Sequence, residues 1–162
     1  MAIVAGGIAR RWTDRRRTAC ARRLRQLGPV DRVYARLHSR EIGPPPIDTA
    51  VVALDFVNGV TGTLATVRAT PFYWRVHLFG TEGSAEVLDE TTMILRNSGA
   101  APQRLTYPAT DVLRAELDAF ADSIENKRPF PVREAEVLAT LSAFEAALQS
   151  MTSGVPVVCH GS

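Results

Sequence analysis

Few side chains in this 162-residue sequence join a reactive type to a spacing that could focus them. The best group is Tyr73, Arg75 and His77, which alternate with Trp74, Val76 and Leu78. Successive side chains of a strand point to opposite sides, so phenol, guanidinium and imidazole share one face. Such a trio could project into a substrate pocket and hold a hydroxylated or anionic group. It could equally line a solvated or subunit-contacting sheet face. Phe72, Tyr73 and Trp74 form an aromatic run ahead of the strand, suited to a core or interface contact or to stacking on a substrate. His38 with Ser39 and Arg40 follows another strand and could grip a ribose phosphate or lie on a loop surface, while His160 sits in the tail. Cys20 and Cys159 lie at opposite ends with no metal-type spacing, so no metal site is expected.

The elements that must position these residues follow from periodicity. Val30–Leu37 has strand character, and Gly43-Pro44-Pro45-Pro46 then forces a loop. Ala50–Val57 and Val60–Ala69 flank Asn58-Gly59, a pairing that predicts a tight type I′ hairpin. Asp55 stands on the polar side of the first of these strands. Tyr73–Phe79, Ser84–Leu88 and Thr91–Arg96 continue as a meander through Gly80–Gly83 and Asp89-Glu90. A helix capped by Thr110 runs to about Glu125, with Leu113, Leu117, Phe120 and Ile124 along one side. A second, from about Arg133 to Met151, carries Val137, Leu141, Phe144, Leu148 and Met151, and Gly154 is placed to stop it. Val155–Cys159 reads as a short edge strand. The expected fold is α+β: a largely antiparallel open β-sheet with two C-terminal helices packed on one face.

Composition sets outer limits. With 46% hydrophobic and 22% charged residues the chain reads as one soluble globular domain. No apolar run approaches the roughly 20 residues of a membrane span, and the reduced, cytoplasmic setting is the default for two separated cysteines. The formal charge of +2 hides an asymmetry. Residues 1–40 hold eleven arginines against Asp14 and Asp31, whereas residues 41–162 hold eight basic against fifteen acidic side chains. The boundary falls between a basic leader, residues 1–27, and an acidic domain, residues 28–162. Thr13–Leu27 has the caps of a helix, and its arginines could neutralise nucleic-acid phosphates. Trp12 is the only aromatic among them, which favours a solvated leader over nucleic-acid recognition; a polyanion-binding module using this helix is the alternative function.

From Gly28 to Cys159 the sequence resembles the second, C-terminal domain of the Gfo/Idh/MocA oxidoreductases. The resemblance rests on Gly28-Pro29-Val30-Asp31-Arg32-Val33-Tyr34-Ala35, on Asp48–Val51 leading to Phe56–Leu64, and on Phe79-Gly80-Thr81-Glu82-Gly83-Ser84. Glu116–Ala121 and Ser153-Gly154-Val155-Pro156-Val157 complete it, in the family's order.

The resemblance implies a substrate-side and oligomerisation domain of an NAD(P)-dependent oxidoreductase acting on sugars or polyols. In the family a Rossmann domain holds NAD or NADP, and the open sheet of the second domain contributes to the substrate pocket and to oligomer contacts. A helical His and the Lys of a Glu-Lys-Pro motif commonly do the proton work. This sequence has no His in Thr13–Leu27, and Lys127, its only lysine, stands between Asn126 and Arg128. No catalytic residue is therefore assigned, and the chain is not expected to be catalytically competent alone. Ala5, Gly6 and Gly7 resemble a weak remnant of the family's phosphate loop, which would make residues 1–27 the relic of a nucleotide-binding βα unit with most of the Rossmann domain absent. No cofactor is expected on this chain by itself. A homo-oligomer through the open sheet face and a separate Rossmann-domain partner are the expected associations, with no membrane partner.

Overall fold

The computed structural model describes residues 2–8, 27–39, 47–67 and 71–159, with the backbone alone for 2–8, 39, 47 and 48. Nine strands form one sheet: β1 (Ala2–Ile8), β2 (Val30–Ser39), β3 (Ile47–Phe56), β4 (Thr61–Val67), β5 (Arg75–Gly80), β6 (Gly83–Val87), β7 (Thr92–Asn97), β8 (Gln103–Thr106) and β9 (Val157–Val158). Two helices, α1 (Val112–Glu125) and α2 (Glu134–Ser153), precede β9. The spatial order is β8-β7-β6-β5-β1-β4-β3-β2-β9, antiparallel throughout except where β1 runs parallel to β5. The fold is α+β with an open, largely antiparallel sheet, as the strand and helix patterns imply.

Residues read as a leader supply the centre of this sheet. β1 joins the β2–β4 meander to the β5–β8 meander, pairing Ala5 with Gly62 on one side and with Leu78 on the other. Short apolar runs suit such two-sided positions, but a strand so near a terminus shows no period of its own. β8 is a further strand that no sequence pattern announced. The helix expected over Thr13–Leu27 lies outside the described residues apart from Leu27, which is buried against Val60, Leu78 and Phe56.

The β3–β4 hairpin forms where Asn58-Gly59 predicts it, with a different turn. The Gly59 N–H donates to the Phe56 carbonyl at 2.9 Å, and the Phe56 N–H to the Val60 carbonyl at 2.8 Å. This closes a three-residue loop in which Gly59 has φ 80° while Asn58 is not left-handed. The two-residue I′ turn needs positive φ at both central positions. Asn58 instead accepts the Val60 N–H on its side-chain oxygen at 3.2 Å, a local bond that favours the longer loop.

The sheet's two faces differ. On one, Val33, Ala35 and Val52 form a buried core with Ala146 and Ala147 of α2, joined by Leu54, Leu64 and Ala143. Small helix residues let α2 approach the strands closely. Ser150, fully buried, accepts the Ala35 N–H at 2.9 Å and donates to the Val155 carbonyl at 2.7 Å. It thus satisfies a β2 donor beyond the reach of β9, which pairs only with Arg32 and Val33.

The expected α2 stripe of Val137, Leu141, Phe144 and Leu148 is exposed instead, with only Met151 against the core. The α1 stripe of Leu113, Leu117, Phe120 and Ile124 is exposed as well, so α2 is the helix that covers the sheet. Side-chain size misled the reading, because close packing selected the alanine side of α2 over its larger apolar side. Caps match the sequence more closely. Asp111, one residue after Thr110, takes the Arg114 N–H at 3.0 Å. The Glu136 carboxylate accepts the Arg133 backbone N–H at 3.2 Å at the start of α2, and Gly154 ends that helix at φ 73°.

Candidate functional site

The face opposite α2, uncovered among the described residues, carries the charged groups. Register across the sheet fixes them: Tyr34, Ala53 and Thr63 align through the β1 backbone at Val4 with His77, Glu86 and Ile94. Arg75 lies two residues before His77 on β5. Arg96 lies two residues after Ile94 on β7, opposite Ser84. Alternation along three antiparallel strands therefore brings Arg75, His77, Glu86 and Arg96 to one patch.

Glu86 is its centre. Only 4% exposed, it forms ion pairs with two arginines, Arg75 Nε lying 3.0 Å from Oε1 and Arg96 Nη1 2.7 Å from Oε2. Burial alone would raise its carboxyl pKa. Its bond to Arg96 and its electrostatic interactions with Arg75, His77 and Arg96 outweigh that and hold it below the usual carboxylate range. His77 is pushed below its ordinary 6.5 chiefly by burial; Glu86 opposes the shift, and Arg96 and Arg75 reinforce it. Its ring lies 3.9 Å from that of Phe79, and Nε2 is buried without a hydrogen-bond partner among the described residues. Tyr73 presents its ring to Arg75, with the guanidinium carbon 5.6 Å from the centroid, in cation–π range.

One glycine makes this arrangement possible. A Cβ on Gly83 would run into the Arg96 carbonyl oxygen and lie 3.0 Å from both the Arg96 carbonyl carbon and Asn97 Cα. Gly83 therefore permits the close β6–β7 approach that sets Arg96 beside Glu86. The most specific motif of the sequence, Phe79-Gly80-Thr81-Glu82-Gly83-Ser84, has this physical content.

The structure thus joins all three sequence-selected residues, Tyr73, Arg75 and His77, and adds Glu86 and Arg96. Alternation in Ser84-Ala85-Glu86-Val87 marked Glu86 as facing away from Ala85, but only strand pairing reveals its two arginines. The patch suits charge recognition. Glu86 is ionised with both oxygens engaged, and neutral His77 has its free nitrogen sealed from solvent.

Other candidates lie elsewhere. His38 and Asp55 are exposed on β2 and β3, Phe72 is exposed ahead of β5, and Arg40 and His160 lie outside the described residues. Lys127 sits in the α1–α2 connection at φ 51°. Ala5, Gly6 and Gly7 belong to β1, and the register with β5 shifts between Ala5 and Ile8. Their backbone is a sheet strand, whereas a phosphate loop needs amides free at a helix N-terminus. The arginine cluster of the basic leader lies outside the described residues. Among the described residues no group of His, Cys, Asp and Glu is placed to hold a metal, and no helix is long and apolar enough to cross a membrane.

The open-faced α+β sheet with its buried charged cluster has relatives among known proteins. Residues 23–86 match the family described as the GFO/IDH/MocA C-terminal domain. Over that stretch, about two fifths of the chain, the sequence is similar to this domain of the Gfo/Idh/MocA oxidoreductases. Among solved structures it is similar to an aldose-aldose oxidoreductase from Caulobacter crescentus complexed with glycerol, with 19% identity over 97% of this chain and 55% of that one, at a TM-score of 0.72. It is also similar to an oxidoreductase from Agrobacterium radiobacter in complex with NAD+, L-tartaric acid and magnesium. There the identity is 17%, the coverage 98% and 56%, and the TM-score 0.65. An oxidoreductase from Thermotoga maritima gives 16%, 98% and 53%, at a TM-score of 0.68. These likenesses establish the fold, and the chain spans a little over half the length of each structure. No curated protein matches the sequence.

Proposed function

We propose that this chain is the substrate-side and oligomerisation domain of an NAD(P)-dependent oxidoreductase acting on sugars or polyols. The observation that carries this reading is the uncovered sheet face, where Tyr73 and Arg75 stand beside the Arg75–Glu86–Arg96 ion group. The aldose, glycerol and NAD+ named for similar structures support the substrate and cofactor classes. Tyr73, Arg75 and His77 face the substrate in this reading. The apolar remainder of the same face, with Val51 and Val67 exposed, serves contact with a second copy.

Hydride transfer needs a held nicotinamide, a task to which none of the described residues is assigned. A nucleotide-binding domain supplied separately would complete the enzyme. Titration of the purified chain with NADH and NADPH should show no binding, light scattering should show a dimer or larger species, and oxidation of an aldose should appear only on mixing with a Rossmann-type subunit. Tight cofactor binding by the chain alone would overturn the assignment.

A further inference from the structure

The sheet face away from α2 carries unmatched charge of both signs. Glu86 offers one negative charge to two arginines, Arg75 and Arg96, so that group keeps one positive charge. The Arg96 side chain remains 41% exposed. Asp55 alternates onto the same face from β3, is exposed, and forms no ion pair among the described residues. Arg32, opposite it on β2, forms none either.

Register puts these charges in one row. Ala53, Thr63, Val4, His77, Glu86 and Ile94 align across the sheet. Asp55, Phe79 and Arg96 each stand two residues further on, along β3, β5 and β7, which run in one direction. Five strand intervals separate β3 from β7, roughly 24 Å at about 4.8 Å each. The midpoint falls between β1 and β5, and Phe79, largely exposed, lies half an interval from it.

A row with opposite charges at equal distances from its midpoint is self-complementary. A two-fold axis parallel to the strands, midway between β1 and β5, carries Asp55 of one copy over Arg96 of the other. An isologous contact repeats each pairing, so two such pairs form. The same axis brings both Phe79 rings to the centre, with the exposed Val51 and Val67 of β3 and β4 beside them. Face-packed sheets stand about 10 Å apart, a gap that a long arginine and a short aspartate span together. An axis across the strands would instead set Asp55 against Asp55 and Arg96 against Arg96, and like charges disfavour that arrangement.

We propose that this chain forms a two-fold dimer through this face, held in register by reciprocal Asp55–Arg96 pairs about a central Phe79 contact. The inference rests on the self-contact part of the reading above and specifies its geometry.

The test uses the full chain and the mutual rescue that the symmetry demands. Asp55→Arg and Arg96→Asp should each weaken the dimer at least roughly tenfold in sedimentation equilibrium, since each opposes like charges twice. Mixing the two variants should restore it, because both pairs of the mixed dimer are again of opposite sign. Circular dichroism checks the fold of each. Arg96→Asp also removes a partner of Glu86, so a second measurement leaves that cluster intact. With Cys20 and Cys159 changed to Ser, Phe79→Cys should be crosslinked within the dimer by a bismaleimide of about 11 Å reach, the separation that the axis and sheet spacing set.

A dimer indifferent to Asp55→Arg, or a mixture no tighter than its components, would overturn the inference and leave the self-contact reading standing. Absence of the Phe79→Cys crosslink in a chain that still dimerises would do the same. A native chain that stays monomeric would overturn both. If Arg96→Asp does not fold, Asp55→Arg and the crosslink decide the matter.

Discussion

The two faces of the sheet solve opposite problems with the same strands. The covered face uses small side chains: Ala35, Ala146 and Ala147 let α2 lie close, and Ser150 satisfies the Ala35 amide, which lies beyond the short β9. The open face buries charge instead, holding Glu86 between Arg75 and Arg96 with His77 against it. Burying apolar surface stabilises without needing a partner of particular geometry. A buried carboxylate has to be matched by partners at fixed places. The first arrangement serves stability, and the second fixes two guanidiniums around one carboxylate.

Substitutions can break this contrast in graded steps. Gly83→Ala should have the largest effect, since the added carbon meets β7 backbone that has nowhere to move. A loss of about 3 kcal/mol is expected, at the upper end for overpacking, together with disruption of the Glu86–Arg96 pair; thermal unfolding and loss of ligand response would report the two effects. On the covered face, Ser150→Ala leaves the Ala35 amide and the Val155 carbonyl without their partner. It should cost about 1–3 kcal/mol and lower Tm by roughly 5 °C for a domain of this size.

Glu86→Gln sharpens the comparison by altering charge alone. It should cost roughly 1–2 kcal/mol at neutral pH, reduced from a fully buried pair because both arginines are well exposed. The Glu86 carboxyl sits below its ordinary 4.5. Its contribution is therefore present above pH 4.5 and lost as pH falls through the folded value, so native and variant curves should converge in acid.

His77 adds a dependence of the same sign at higher pH. Its folded pKa lies below 6.5, so the unfolded chain takes up a proton first and falling pH favours unfolding. Stability should decline as pH drops below 6.5, and His77→Gln should flatten that decline in urea melts at stepped pH. The smallest effect belongs to α1, where Leu117 is 59% exposed. Leu117→Ser should change stability by no more than about 0.5 kcal/mol, and a larger loss would show that this helix has a covering partner.

Much of the scaffold was legible in local pattern. Alternation at Tyr73–Phe79 placed Arg75 and His77 together, and Asn58-Gly59 marked a hairpin though not its turn. Gly154 stopped the last helix. What escaped were relations between distant segments. Ala2–Ile8 resembled a relic of another domain through Ala5-Gly6-Gly7, and its pairing with β4 and β5 depends on distant segments. The exposed stripes of α1 and α2 looked like core because apolar spacing says which residues share a helix side, not which side meets the sheet.

The sequence by itself determined the α+β class, the order of elements, the family resemblance and the placement of Arg75 and His77 on one strand face, all of which depend on neighbours within a few residues. Only the tertiary structure decided that β1 joins two meanders, that the alanine side of α2 packs on β2, and that Glu86 stands between Arg75 and Arg96. The reason is physical. Strand alternation is a property of the local chain, whereas the partner of a buried charge is fixed by register across strands separated in sequence.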